Sequence, residues 1–264
     1  MRRVGASSPV GATALALGLA FLYGPILLVV LFSFNASKLA SVWGGFSLRP
    51  YATLTENASL LAALWTSLRV AFGSALVATL LGTMAALALV RMGRFFGRTV
   101  FTTLVYVPLV LPEVVTGLAL LLLFVSLDLD RGMTSVGIAH VTLTMSFVTL
   151  VVQARLVSVD WTLEDAARDL GAPPLVAFLT VTLPLIAPAV AAGFLLAFTL
   201  SLDDLILSSF TSGPGATTLP MYVFSQARRG VTPEINAVST LLVATVAVLL
   251  TGATLLAKAR TGKA

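Results

Sequence analysis

Residues 161–188 read WTLEDAARDLGAPPLVAFLTVTLPLIAP, and the fold turns on what this stretch is. It lies between two long apolar segments. Yet five charged side chains crowd its start: Asp160 just before it, then Glu164, Asp165, Arg168 and Asp169. Thr162 is placed to cap a helix, and Asp165, three residues on, can complete a capping box. Gly171 offers the left-handed residue that closes such a helix, and Pro173-Pro174 stops it from continuing. About eight helical residues rise ~12 Å, far short of a hydrocarbon core of ~30 Å. The pattern predicts a short charged helix at the membrane surface, held between two spans. An ordinary amphipathic loop would have the same composition, so the spacing and the rest of the chain must decide.

The rest of the chain places it in a bilayer. Of 264 residues, 58% are hydrophobic and only 10% charged, and the mean hydropathy is +1.02. A soluble domain of this length cannot hide so much apolar surface. The net charge of +5 then points to basic loops rather than to nucleic acid. With no cysteine and a single histidine, His140, disulfides, thiol catalysis, cysteine-ligated metals and His-rich metal sites are excluded. Residues 4–37 carry no charge, a run too long for a signal-peptide core, so it reads as a retained first span.

Hydropathy predicts six spans, near residues 11–34, 64–90, 99–127, 134–157, 183–202 and 234–257, in a single transmembrane domain covering 1–264, with the surface segment at 158–182. Residues 205–227 are uncharged but rich in turn formers, and predict a loop with short helical pieces. Six spans put both termini on one side. The segments on that side hold ten basic residues: Arg2, Arg3, Arg91, Arg94, Arg98, Arg155, Arg168, Lys258, Arg260 and Lys263. The opposite segments hold five: Lys38, Arg49, Arg131, Arg228 and Arg229, while Arg69 falls within a span. The positive-inside rule predicts cytoplasmic termini and a cytoplasmic helix at Asp165.

Three acids lie within or at the ends of apolar spans: Glu113, Asp203 and Asp204. A lone carboxylate in a spanning helix costs about 2.5–3.5 kcal/mol on insertion scales, so it faces a polar cavity or a partner. Glu113 follows Pro112, whose missing N–H opens the helix locally. Lining a pathway for a cationic solute is the functional reading. The structural alternatives are a buried hydrogen-bonded acid for Glu113 and a hydrated helix end for the Asp pair; Arg69 and His140 read as structural. No phosphate-binding Gly-x-x-x-x-Gly-Lys-Ser/Thr pattern occurs, so the chain is not itself an ATPase; if transport is ATP-driven, ATP and Mg are expected on a partner subunit, with no cofactor expected in this chain.

Residues 165–184 resemble the EAA signature of ABC-importer permeases: Glu-Ala-Ala, three residues, Gly, nine residues, an aliphatic, one residue, Leu-Pro. Asp165-Ala166-Ala167, Gly171, Val181 and Leu183-Pro184 keep every spacing, with Asp165 in the Glu position and Glu164 just before it. The resemblance implies an all-α polytopic membrane protein of six transmembrane helices, the type I ABC-importer permease fold. It also implies a coupling helix presenting Glu164, Asp165, Ala166, Ala167, Asp169 and Gly171 to an ATPase subunit. A second block is similar to the second permease subunit of spermidine/putrescine importers. It comprises Ser201-Leu202-Asp203-Asp204, Ser209-Phe210, Gly213-Pro214-Gly215, Thr218-Leu219-Pro220-Met221 and residues 230–237. That likeness implies a non-enzymatic permease in a bacterial inner membrane. Its partners would be a second homologous permease, a dimer of ATP-binding subunits, a periplasmic solute-binding protein and the lipid bilayer, with no nucleic acid. The implied cargo is a polyamine, although relatives of this type serve other solutes. An ion-coupled secondary transporter would need paired repeats with broken helices, and none is found. An intramembrane aspartyl protease would need its acids on facing helices, whereas Asp203 and Asp204 are neighbours in sequence.

Overall fold

The computed structural model describes residues 9–37, 42–228 and 232–261. Of the basic residues used above for orientation, Arg2, Arg3, Lys38, Arg229 and Lys263 lie outside them, as do Gly230 and Val231. Every regular element among the described residues is helical, apart from one isolated bridge between Asn35 and Phe46. In order these are α1 (Pro9–Phe32), α2 (Arg49–Glu56), α3 (Ala58–Arg91), α4 (Arg98–Val110), α5 (Glu113–Ser126), α6 (Met133–Val157) and α7 (Thr162–Asp169). There follow α8 (Pro174–Ala177), a π-helical turn (Phe178–Thr182), α9 (Leu183–Asp203), α10 (Ile206–Thr211), α11 (Leu219–Ala227) and α12 (Pro233–Thr261).

Among the described residues, four helices are long and apolar enough to cross a bilayer: Val10–Phe32, Ala58–Arg91, Met133–Val157 and Pro174–Asp203. The segment expected as one span at 99–127 is instead two helices, α4 and α5, meeting at 117°. Proline explains the break. The residue before a proline is driven out of the α region, and Leu111 is extended at ψ 138°. Pro112 then starts α5, its carbonyl accepting from the N–H groups of Val115 and Thr116. The span expected at 183–202 also differs, because its helix begins earlier, at Pro174, and runs without interruption to Asp203. Pro184 and Pro188 both lie within it, and the wider π turn immediately before Pro184 accommodates the missing N–H and the bulk of the ring.

The sequence reads as a single domain, but the packing divides into two compact units, residues 1–61 with 223–264, and residues 62–222. In the first, α1 and α2 each lie against α12, and the Asn57 amide donates to Glu234 across 3.2 Å. The loop between α1 and α2 is closed by aromatics: Phe34 stacks on Phe46 with centroids 5.1 Å apart, and Ser33 and Tyr51 share a 2.7 Å hydrogen bond.

In the second unit α6 packs along α9, and small residues of α3 bring a third helix close. Ala75, Ala78 and Ala86 of α3 join Val148, Val152 and Leu156 of α6 and Ile186 and Ala197 of α9 in a buried core. Gly82 sets the closest approach, since a Cβ there would stand 2.8 Å from the Met145 carbonyl oxygen. In a membrane this is how helices associate, by close van der Waals packing of small residues rather than by a hydrophobic drive.

Candidate functional site

The charged stretch forms α7, the predicted short helix, but its first turn is capped differently. Thr162 is the first helical residue rather than the cap. Trp161 holds the cap position without a side-chain bond, and the Asp160 carboxylate just before it accepts from the Thr162 N–H at 3.1 Å and hydroxyl at 2.8 Å. Those two bonds hold the Asp160 carboxyl below its usual range. Asp165 has no part in a capping box and is exposed. The far end closes as expected. Gly171 has φ +91°, and the Gly171 and Ala172 N–H groups return to the carbonyls of Arg168 and Ala167 at 2.9 and 3.1 Å. This pair of bonds is a Schellman motif, which needs a left-handed residue at that point.

The helix separates the expected coupling residues by face. Asp165, Ala166, Asp169 and Gly171 are exposed, and Ala167 is half-buried. Leu163 and Leu170, the latter 91% exposed, add an apolar edge that charge patterning alone did not single out. Glu164, expected on the same surface, is only 5% exposed and turns inward. Its carboxylate meets the Arg91 guanidinium at 2.5 Å and accepts the hydroxyl of Thr182, in the π turn. Arg91 also lies over the ring of Trp161, 4.8 Å from its centroid. Burial pushes the Glu164 carboxyl up, but the Thr182 hydroxyl and the Arg91 charge outweigh it and leave it below its usual value. Arg91, Trp161 and Thr182 are partners that sequence reasoning missed. Only the position of Arg91 at the end of a long apolar helix hinted at a role.

The three acids gather at the opposite end of α9 from α7. Glu113 is the first residue of α5, at the break from α4, where the positive end of a helix dipole favours a carboxylate. Asp203 ends α9 and Asp204 follows it. Glu113 lies close enough to both aspartates for their charges to act on it. Glu113 and Asp203 are exposed, and neither forms an ion pair among the described residues.

Asp204 behaves differently from its neighbour and is not a hydrated helix end. It is 8% exposed, and its carboxylate accepts from the Leu207 and Ser208 N–H groups at 3.2 and 2.8 Å, capping α10. His140 Nε2 stands 3.1 Å from Asp204 Oδ2, while His140 Nδ1 lies 2.6 Å from Ser201 Oγ. Ser201 continues to Ser74 of α3 at 2.9 Å. This buried chain ties α3, α6, α9 and α10 together beneath Asp203. The spacing of a lone histidine and distant serines gave no sign of it.

Residues 78–259 match the family model of binding-protein-dependent transport system inner membrane components. The putrescine transport system permease protein PotI of Escherichia coli (strain K12) is 50% identical over 248 residues, 92% of this chain and 88% of that one. The spermidine/putrescine transport system permease protein PotC of the same organism is 39% identical, covering 92% of this chain and 91% of that one. Among solved structures, a chain of a bacterial ABC transporter involved in import of the acidic polysaccharide alginate superposes with a TM-score of 0.74. It covers 93% of this chain and 94% of that one at 16% identity. A chain of the alginate transporter in complex with a pentasaccharide-bound periplasmic protein gives 0.65 at 17% identity, covering 90% of this chain and 88% of that one.

Proposed function

The chain belongs to the binding-protein-dependent transport inner membrane component family and has the fold of an ABC-importer permease, and from that we propose that it carries a polyamine such as putrescine. It is a multi-pass permease subunit rather than an enzyme, and ATP is hydrolysed by a separate subunit. The observation that carries the polyamine assignment is 50% identity to a putrescine permease along nearly the whole chain, together with the exposed carboxylates of Glu113 and Asp203. A dication crossing a low-dielectric path needs fixed negative charge near it, and unpaired acids supply that.

In this reading both termini and α7 face the cytoplasm. Asp165, Ala166, Ala167, Asp169 and Gly171 meet the ATP-binding subunit, which holds ATP and Mg. A second homologous permease completes the pathway, and a periplasmic solute-binding protein delivers the cargo. The basic charge asymmetry between the two sets of loops supports the orientation. Closure of the ATPase pair moves the coupling helices and exchanges inward-facing for outward-facing states.

The test is reconstitution of the chain with its co-purifying subunits in vesicles, followed by uptake of labelled putrescine. ATP-dependent uptake that requires the binding protein is the expected result. Uptake of a neutral or anionic solute in its place would overturn the cargo. Uptake that persists without the ATPase would overturn the mechanism.

A further inference from the structure

The coupling helix must do more than touch its motor, because a helix free to rock would dissipate the stroke. The contacts of Glu164 answer this need. One oxygen meets Arg91, the last residue of α3. The other accepts from Thr182, the last residue of the π turn. Glu164 is therefore the point at which α7, the end of α3 and the base of α9 meet. Its neighbour Asp165 points the other way and is exposed.

The π turn makes this position mechanically distinctive. A π segment is wider than the α-helix on either side and is found preferentially at functional sites. Here it lies between the Schellman closure of α7 and the two prolines of α9. From Thr182 α9 continues through those prolines to Asp203, about 32 Å away at 1.5 Å per residue. A force on α7 reaches α9 through the short connection at 170–173 and through Glu164. Two attachments transmit rotation as well as translation, whereas a chain connection alone works as a hinge. Arg91 anchors the pair from the other side and is itself steadied by the face of Trp161.

We propose that Glu164 is a positioning residue for energy transfer: an inward pin that makes α7, α3 and the base of α9 move as one body, while the exposed face of α7 binds the motor. This rests on the permease reading above and assigns Glu164 a role separate from ATPase docking.

The experiment compares Glu164→Gln with wild type in the reconstituted importer, measuring ATPase co-purification and putrescine taken up per ATP hydrolysed. The expected variant retains the ATPase but loses about ten-fold in uptake per ATP, a coupling loss within the usual range of energetic linkage. Because the chain has no cysteine, Glu164→Cys with Thr182→Cys, joined by a short bifunctional thiosulfonate, supplies a covalent pin. Cross-linking should restore coupling and reduction should abolish it. Wild-type uptake per ATP in Glu164→Gln, loss of the ATPase from that variant, or no recovery on cross-linking would each overturn the pin. If wild type itself retains no ATPase, the permease reading fails instead. Hydrogen exchange of α7 in the isolated full-length chain still judges the pin in that event. About ten-fold faster exchange in Glu164→Gln supports it, and unchanged exchange refutes it.

Discussion

His140 Nε2 lies 3.1 Å from Asp204 Oδ2, and both side chains are almost wholly buried. The pair joins α6 to the α9–α10 junction, where Asp204 also accepts from the Leu207 and Ser208 N–H groups of α10. Removing one partner strands the other in a medium that cannot solvate it.

Replacing His140 with Ala should therefore destabilise the protein by about 1–3 kcal/mol, the usual cost of leaving a buried polar group without its hydrogen-bond partner. Thermal unfolding in detergent, read by near-UV circular dichroism, measures this. Asp204→Asn keeps an acceptor for the backbone and should cost less than His140→Ala. The reverse order would mean that the capping bonds, rather than the pair, dominate.

Glu113 and Asp203 make the opposite prediction. Neither is tied into packing, so Glu113→Gln and Asp203→Asn should leave expression and melting temperature unchanged. Each should weaken uptake of a dication about ten-fold, or ~1.4 kcal/mol, mainly through KM. Initial rates over a range of putrescine concentrations separate the two effects. A drop in melting temperature with unchanged uptake would make these acids structural.

Gly171 and Asp165 test the docking face. Gly171 holds φ +91°, so Gly171→Ala should cost about 1–2 kcal/mol locally, and a bulky side chain should also obstruct the exposed surface. Gly171→Leu and Asp165→Lys are expected to lose ATPase co-purification while the permease still folds. A pull-down with tagged ATPase reads the result, and normal retention would count against the docking face.

The tether has a defined pH dependence. The folded Glu164 carboxyl lies below its ordinary 4.5, so its stabilising contribution is complete above that value. It is lost as pH falls through the lower folded value. Hydrogen exchange of α7 should thus stay constant from neutral pH down to about pH 5, after correction for intrinsic rates, and quicken only under stronger acid. Loss of protection near pH 6 would show that Glu164 is not held as a carboxylate.

Close packing of α3 on α6 depends on Gly82, and a Cβ there would sit 2.8 Å from both the Met145 oxygen and Val148 Cβ. Gly82→Val should cost at least about 1–3 kcal/mol through overpacking, lowering the yield of folded protein in gel filtration. Gly18, with nothing within 4 Å of a built Cβ, is the matched control and should tolerate valine.

Much of this protein follows from residue order alone. Apolar runs identify spanning helices because each backbone polar group must be satisfied within its own helix in lipid. The charged length, Gly171 and Pro173-Pro174 are local signals, and α7 with its Schellman closure follows from them. Proline also pointed to the opening at Glu113, though not to its 117° bend, because the angle depends on where each half finds packing. Which way a side chain faces was hidden. Glu164 and Asp165 are adjacent acids with the same local preferences, and only the positions of Arg91 and Thr182, 73 and 18 residues away, turn one inward and leave the other exposed. Asp203 and Asp204 are separated in the same manner by His140. Periodicity and capping are properties of a few consecutive residues and can be read in order, whereas a buried charge takes its role from partners that only the packed helices bring within reach.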